Sequence, residues 1–389
     1  MTWKRAGDLL ADAVAAEPNR LANLDSMLAA VGAGARLYLR PAGIVGGSLA
    51  AEMLAADGAL PLAGGPLAFA TCAVIGHDDS GVRGVTVTAA DLVTWCDGSG
   101  HAAAGLGRLL GHIIAPRLWR PGELWGAPRL MAIVNVTPNS FSDDGEALDP
   151  AAAIARARQF AEQGADIVDI GGESTRPGAA HVGLETELAR VEPVLRGLQV
   201  AAPDIAVSID TRHSPVMRVA LDRGAVILND VTALTGDADS LATASASAAK
   251  VVLMHKQGEP ATMNRAPRYD HVALDVFDYL AGRIAACLAA GIGRERLIVD
   301  PGFGFGKRSR ENLALLDWLG LYHALGCPIM VGLSRKGLLE THEQLAPRQR
   351  LPISLAATMH ALHQGVQLLR VHDVPETRLV IDLWRRLNG

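Results

Sequence analysis

The sequence predicts an α/β protein built on a (β/α)8 barrel, the TIM barrel, preceded by a small α/β or α+β domain. From about residue 130, short β-branched runs alternate eight times with amphipathic segments. The runs are apolar nearly throughout, as expected of parallel strands buried on both faces. They are LMAIVNVT (130–137), ADIVDIGG (165–172), AVSIDT (206–211), AVILNDV (225–231), KVVLMH (250–255), LIVDPG (297–302), PIMVGL (328–333) and LLRVHD (368–373).

The segments between these runs predict helices. Stretches such as PAAAIARARQFAEQG and SPVMRVALDRG have apolar residues at helical spacing, and most end at glycine, a helix-stop signal. The stretch PETRLVIDLWRRLNG predicts a last helix that reaches the C-terminus. Eight strand–helix units in about 260 residues have the size of a closed barrel. An open, doubly wound sheet is the alternative, but eight units favour closure.

Residues 1–125 do not follow this alternation and predict a separate N-terminal domain, with the barrel at 126–389. They contain four of the six tryptophans and two strand-like runs, RLYLRP and GPLAFATCAVI. Such features favour a folded domain over a disordered tail. The stretch LWRPGELWGAP (118–128), rich in turn formers, predicts the boundary. We find no catalytic motif here, so the sequence assigns this domain no function.

Composition excludes several functional classes. The 389 residues carry a formal net charge of −5, which argues against a nucleic acid or an anionic membrane as the main partner. No apolar run approaches the ~18 residues of a membrane span, and the N-terminus lacks the apolar core of a signal peptide. The four cysteines have no metal or redox spacing and predict free thiols. We expect a cytoplasmic protein.

Polar or ionisable residues close all eight predicted strands. Active sites of barrel enzymes lie at the C-terminal ends of the strands. A barrel without a site would have such residues at some strand ends but not at all eight, so we predict an active site there. The residues include Asn135, Thr137, Asp169, Asp210, Asn229, Asp230, His255, Asp300, Ser334, Lys336, Arg370 and His372.

These residue types indicate the kind of ligand. Asp210, Asn229 and Asp300 offer carboxylate and amide groups that suit a flat heterocycle with ring N–H donors. Cationic side chains suit a phosphorylated substrate or an anionic leaving group. Together they indicate a pyrophosphorylated heterocycle. The cationic set is Arg176, Lys336, Arg370 and His372.

Several of these residues have a structural interpretation as well. Asp210 could cap the helix that follows it, and His255 could be a satisfied buried histidine. Asp166 and Asp373 are better explained by ion pairs or caps than by ligand binding. The stretch DPGFGFGK (300–307) lacks the spacing of a phosphate-binding loop and has no Ser or Thr after its lysine. We expect Asp300 to point into the pocket and Phe305 to pack beside a flat ring.

At these residues the chain resembles the dihydropteroate synthase family of folate biosynthesis. The resemblance covers the barrel from about residue 130 to the end and leaves out the N-terminal ~125 residues. It is carried, in the family's order, by NVTPNSFSDDG (135–145), DIVDIGGESTRPGA (166–179), SIDTR (208–212), ILNDV (227–231), VLMHKQGEPATM (252–263), LIVDPGFGFGK (297–307), VGLSRK (331–336) and RVHDV (370–374).

The resemblance implies a transferase that joins p-aminobenzoate to 6-hydroxymethyl-7,8-dihydropterin pyrophosphate, with Mg²⁺ as cofactor, in a homodimer. It also implies a role for each matching residue. Asp210, Lys336, Arg370 and His372 would be catalytic. The pterin would be bound by Asp210, Asn229, Asp300 and Lys336 and lined by Val231, Met254, Phe305 and Gly332. The pyrophosphate would be held by Asn135, Thr175, Arg370 and His372, with Asn135 acting through Mg²⁺. The p-aminobenzoate would lie against Phe141, Thr175, Arg176, Pro177 and Ser334.

The chain departs from the family pattern at three positions. Gly337 replaces a serine that many relatives carry near the p-aminobenzoate carboxylate, and Asn139 and Asp144 replace common residues of the first loop. We expect modest effects on the second substrate and none on the pterin slot.

Two other functions remain alternatives. One is a pterin-dependent methyltransferase acting on a corrinoid protein, which would have no use for the STRPG and SRK motifs. The other is a catalytically inactive pterin-binding or scaffolding protein, against which the intact cationic residues argue.

Overall fold

The computed structural model describes residues 20–31, 34–120, 123–137, 149–173, 182–258, 263, 267–336 and 345–389. Within them, no helix combines the length and the apolar character needed to cross a membrane.

The N-terminal part is an antiparallel sheet with helices packed against it. The central strand β3 pairs with the other three strands, and the two runs predicted as strands are confirmed as β1 and β3. The strands are β1 (Arg36–Val45), β2 (Leu60–Pro61), β3 (Ala68–Asp78) and β4 (Gly81–Thr88). The helices are α1 (Arg20–Ala30), α2 (Gly47–Ala55), α3 (Ala89–Cys96) and α4 (His101–Ile114).

A short hairpin, β5 (Leu118–Arg120) and β6 (Glu123–Leu124), closes the N-terminal end of the barrel. Trp119 and Trp125 meet edge to face with ring centroids 5.1 Å apart, and both are buried on the lowest layer of barrel side chains. The predicted domain boundary falls in this hairpin.

The barrel itself has eight parallel strands in the order β12-β11-β10-β9-β8-β7-β14-β13. It closes between the two ends of this order, where Val299 bridges to Ile329 and donates its N–H to the carbonyl of Pro328 at 2.9 Å. The predicted barrel fold is therefore confirmed over an open sheet. The strands are β7 (Arg129–Asn135), β8 (Ile167–Gly171), β9 (Ala206–Asp210), β10 (Ile227–Asp230), β11 (Lys250–Met254), β12 (Leu297–Asp300), β13 (Met330–Val331) and β14 (Leu368–Val371).

One α-helix follows each barrel strand. Four of these helices have proline in their first turn, where its missing N–H has no helical partner to lose. The helices are α5 (Pro150–Glu162), α6 (Leu184–Ala201), α7 (Ser214–Asp222), α8 (Ser240–Ser245), α9 (Val272–Ala289), α10 (Ser309–Asp317), α11 (Leu351–His363) and α12 (Val374–Asn388). Short 3₁₀ segments lie at Arg294–Arg296, Leu319–Leu325 and Pro347–Arg350.

The barrel interior is layered because alternate residues of a strand point inward. The lowest layer is apolar and packs on the two hairpin tryptophans. Two residues further along, the inward positions become largely polar, which places the polar side chains in the upper half of the barrel. The lowest layer contains Met131, Ile167, Ile227, Val252, Ile298, Met330 and Leu368.

The N-terminal sheet packs against the outside of the barrel. Tyr38 on β1 is buried, its ring lies 5.3 Å from that of Phe277 on α9, and its hydroxyl donates to Asp278 at 3.0 Å. Arg117 donates to the carbonyls of His112 at 2.8 Å and His323 at 3.1 Å and so bonds both parts. A single hydrophobic cluster runs through both.

Candidate active site

A half-buried arginine bridges two buried aspartates in the upper half of the barrel. Arg370 on β14 donates from Nε to Asp169 Oδ2 at 2.6 Å and from a terminal nitrogen to Asp210 Oδ2 at 2.6 Å. Asn229 also donates to Asp169 Oδ2, at 3.0 Å. Arg370, Asp210 and Asn229, assigned from sequence to the same site, therefore lie together, and Asp169 connects them.

Asp210 does not cap the following helix. His213 occupies the cap position of α7, and the N–H of Ser214 is bound by Asp237 at 2.8 Å. Burial raises the pKa of Asp210 to about 7, with Asp169 adding to the rise and Arg370 opposing it. The prediction that Asp210 could cap this helix is therefore wrong, and its carboxylate is paired with Arg370 instead.

Asp300 and Lys336 form the opposite side of the pocket. Asp300 at the end of β12 accepts the N–H of Gly302 at 2.7 Å through one oxygen. Lys336 donates to the carbonyl of Phe303 at 2.6 Å, and its amine lies 4.8 Å from the centre of the Phe305 ring. Burial raises the pKa of Asp300, and burial lowers the pKa of Lys336 to about 8 against the opposing effect of Asp300.

The DPGFGFGK loop is built around its own lysine. Lys307 is 2% exposed and donates to the carbonyls of Gly302 at 2.8 Å and Phe305 at 3.1 Å. The Lys307 amine also lies 2.9 Å from Nδ1 of His255. Burial lowers the pKa of the His255 imidazole to about 2, so the neutral ring accepts a hydrogen bond from the lysine. Both side chains hold the loop, in agreement with the structural interpretation of His255.

Three of the residues predicted to line the pterin slot are wholly or partly buried. Val231 and Met254 are buried, and Phe305 is half-buried with its ring beside Lys336. A β-carbon on Gly332 would lie 3.5 Å from the Lys336 amine, so glycine there leaves the amine accessible. A flat ring would therefore meet apolar walls and polar edges.

His372 and Ser334 lie at the rim. The N–H of His372 donates to Ser334 Oγ at 3.2 Å, and the same hydroxyl donates to Asp373 Oδ2 at 3.2 Å. Asp373 is paired with Arg335, which lowers the pKa of the carboxyl against the effect of its burial. Asp373 therefore forms the expected ion pair, and Ser334 positions the backbone of His372.

Asn135 ends β7 beside Gly171. Asn135 is half-buried, and a β-carbon on Gly171 would come within 3.1 Å of Asn135 Oδ1, so the glycine avoids a tight contact there. Four of the residues assigned to the p-aminobenzoate end, Phe141, Thr175, Arg176 and Pro177, lie outside the described residues, as do the departures at Asn139, Asp144 and Gly337.

The stem of the second loop is anchored by an ion pair. Glu173 accepts from Arg212 Nε at 3.0 Å and from the N–H of Val182 at 2.9 Å. Its carboxylate therefore joins both sides of this loop to the neighbouring strand end.

Sequence reasoning placed Asp169 at a strand end but gave it no role. The signal for one was present, since Asp169 stands two residues after Ile167, a lowest-layer residue, and therefore points inward. Lys307 was missed because nothing in a glycine-rich loop indicates that its lysine turns inward.

Comparison with known proteins shows the family to which the barrel belongs. A family model described as "Pterin binding enzyme" matches residues 131–372. The dihydropteroate synthase of Escherichia coli K12 is 43% identical over 250 residues, covering 64% of this chain and 88% of that protein. That of Neisseria meningitidis serogroup B is 42% identical over 284 residues, covering 71% and 99%.

Solved structures give the same result. Xanthomonas albilineans dihydropteroate synthase with 4-aminobenzoic acid superposes with a TM-score of 0.64 at 45% identity, over 70% of this chain and 98% of that chain. The Yersinia pestis enzyme in a sulfonamide drug complex gives 0.63 at 38% identity, over 67% and 93%.

The chain belongs to the pterin-binding enzymes. Within that class it is a member of the dihydropteroate synthase family, as its motifs predicted, and it is a transferase. The residues before 131 lie outside the family match.

Proposed function

We propose that the protein condenses p-aminobenzoate with 6-hydroxymethyl-7,8-dihydropterin pyrophosphate to give 7,8-dihydropteroate and pyrophosphate, in folate biosynthesis. The observation that carries the proposal is the polar cluster at the C-terminal ends of the barrel strands. There Asp210 pairs with Arg370, Asn229 donates to Asp169, and the charge of Asp300 acts on Lys336. The three oxygen acceptors and the Lys336 donor suit the pterin ring, and Arg370 suits its diphosphate.

The ring lies in the slot between Phe305 and the apolar walls. Asp300 has one oxygen bound to Gly302 and the second available for ring N–H groups. Asn229 donates to Asp169, so its carbonyl oxygen is left to accept from the ring. Lys336 supplies a donor for the ring carbonyl.

The reaction breaks the C–O bond to pyrophosphate and forms a C–N bond to the aniline nitrogen, which then loses a proton. Arg370 and His372 stabilise the negative charge that develops on the leaving group. The carboxylates of Asp210 and Asp300 stabilise the positive charge on the pterin methylene. This is electrostatic preorganisation in a water-poor site, and it requires no covalent intermediate on the enzyme.

Asn135 fits the proposed Mg²⁺ because an amide oxygen at the end of a barrel strand is the kind of ligand that this ion accepts alongside phosphate and water. When bound, the ion neutralises charge on the diphosphate. Chelation of Mg²⁺ should abolish turnover, and Asn135→Ala should raise the Mg²⁺ concentration needed for half-maximal rate. Unchanged activity in chelator would contradict the metal assignment.

At the second substrate site, Ser334 and the residues of the two loops take p-aminobenzoate. Sulfonamides, one of which is bound by the Yersinia pestis relative, should compete with p-aminobenzoate and leave the Michaelis constant of the pterin substrate unchanged.

We also propose a homodimer in the cytoplasm. Leu379, Leu383 and Leu387 are 70%, 50% and 59% exposed and, spaced by four, share one face of α12. Such a stripe favours a second copy as its partner. Leu379→Glu with Leu383→Glu should give monomers in light scattering, while Val200→Glu on α6 should not. The cytoplasm is favoured by four unpaired cysteines, three of them buried.

The proposed function is tested with purified protein, both substrates and Mg²⁺. Pyrophosphate should appear only when p-aminobenzoate is present, and Asp300→Asn should suppress it. Tight pterin binding without turnover at high enzyme concentration would instead indicate an inactive pterin-binding protein. Methyl transfer from a reduced folate would indicate the corrinoid-dependent alternative.

A further inference from the structure

Asp169 is the most enclosed group of the site. It lies on β8 beside Ser208 of β9 and Ile133 of β7, and its exposed fraction is 0%. One oxygen, Oδ2, accepts both from Arg370 Nε at 2.6 Å and from Asn229 Nδ2 at 3.0 Å. The other oxygen is buried without a hydrogen-bond partner among the described residues.

This arrangement is a poor way to stabilise a fold. A carboxylate buried inside a barrel carries a large desolvation penalty, and a well-packed apolar side chain in its place is often equally stable. The residues below it, such as Ile167, show that this barrel accepts apolar side chains at inward positions. The role of Asp169 therefore lies in the two side chains that it binds, Arg370 and Asn229.

It holds Arg370 at a fixed angle. Because Asp169 takes Nε while Asp210 takes a terminal nitrogen, the planar guanidinium is fixed by two carboxylates from neighbouring strands. Without Asp169 the guanidinium would keep only the bond to Asp210 and could turn about it, so its direction toward the diphosphate would no longer be fixed.

It also fixes the orientation of an amide. An asparagine side chain presents a donor on one side and an acceptor on the other. Since Asn229 directs its NH₂ group to Asp169, the carbonyl oxygen points away from Asp169 and is left to accept from another group. The Asp169 carboxylate thus determines both the position of the Arg370 guanidinium and the orientation of the Asn229 amide.

We propose that Asp169 is a positioning residue that does not touch the substrate but aligns Arg370 for the diphosphate and Asn229 for the pterin ring. The inference rests on the proposed function, and it goes beyond it by assigning two recognition elements to one buried group.

The test is a double-mutant cycle on binding, which requires no turnover. Dissociation constants of 6-hydroxymethylpterin pyrophosphate and of 6-hydroxymethylpterin, which lacks the diphosphate, are measured for wild type, Asp169→Asn, Arg370→Ala and the double variant. Asp169→Asn should weaken the diphosphate ester about 100-fold and the alcohol about 10-fold, since only the ester uses Arg370. In the Arg370→Ala background its effect on the ester should fall to about 10-fold.

Asp166→Asn is the matched control, because Asp166 precedes the same strand at the opposite end of the barrel, where it accepts the N–H of Leu130 at 2.8 Å. Its affinity for both pterins should equal that of wild type. Equal loss for ester and alcohol in Asp169→Asn, or additive effects in the cycle, would overturn the proposal, as would an unfolded Asp169→Asn protein. Failure of wild type to turn over substrate would refute the proposed function but leave this cycle interpretable.

Discussion

At the scale of single residues, Asp300 carries the recognition of the pterin ring. Asp300→Asn keeps the size of the side chain and the oxygen that accepts from Gly302, so the loop should remain in place. The charge-assisted hydrogen bonds to the ring are lost, and we expect affinity for the pterin to fall about 100-fold, equivalent to about 2.7 kcal/mol. Calorimetric titration measures this, and near-normal affinity would contradict the assignment.

The protonation states of Asp210 and Lys336 set a second residue-scale prediction. The pKa of Asp210 is raised to about 7 by burial, so the ionised form that binds the pterin is lost as pH falls below this value. The pKa of Lys336 is lowered to about 8 by burial, so its charged form is lost as pH rises above this value. The profile of kcat/KM should be a bell with its maximum between these values. A profile flat from pH 6 to 9 would refute this.

At the scale of elements, the strands were predictable and the loop interiors were not. The eight strands follow from apolar runs, and the inward direction of their side chains follows from the period of two. Their positions at strand ends predicted Asn229 and Asp300 as site residues, and the period of two would also have predicted that Asp169 points inward. Which side chains of a loop turn inward depends on tertiary contacts, and for this reason the role of Lys307 could not be predicted.

The loop after β12 gives the element-scale prediction. Lys307→Met would leave the carbonyls of Gly302 and Phe305 without their buried donor. Each unsatisfied group costs about 1–3 kcal/mol, so for the two carbonyls the free energy of unfolding should fall by about 2–6 kcal/mol, and pterin affinity should fall with it. Urea unfolding and pterin titration measure the two effects.

Lys250→Met is the control for this variant. Lys250 donates to the carbonyls of Leu118 at 3.1 Å and Glu295 at 2.9 Å at the opposite end of the barrel. The Lys250→Met variant should be less stable than wild type but should bind the pterin with unchanged affinity. If Lys307→Met behaves in the same way, the loop does not position the ring-binding residues.

At the scale of the whole molecule, the N-terminal part is joined to the barrel as one packed body. Its sequence predicted two strands and contained four tryptophans, but it did not indicate where this part packs on the barrel. Surface complementarity between two segments leaves no periodic signal in the sequence. In the structure Tyr38 and Phe277 pack together, and Arg117 bonds carbonyls of both parts.

Removal of residues 1–115, which retains the hairpin, should therefore expose the apolar side of α9 and of the Leu319–Leu325 segment. We expect an aggregating protein or one with a strongly lowered melting temperature. Size-exclusion chromatography and thermal unfolding measure the outcome. A soluble, fully active barrel would show instead that the N-terminal part is accessory.

The central claim is that this pocket joins the two substrates. The most direct measurement is mass spectrometry of the product formed from isotope-labelled p-aminobenzoate and the pterin pyrophosphate, with pyrophosphate quantified in the same reaction. The account predicts labelled 7,8-dihydropteroate and pyrophosphate in equal amounts, both absent with Asp300→Asn. Pyrophosphate release without labelled product, or no reaction with both substrates bound, would contradict it.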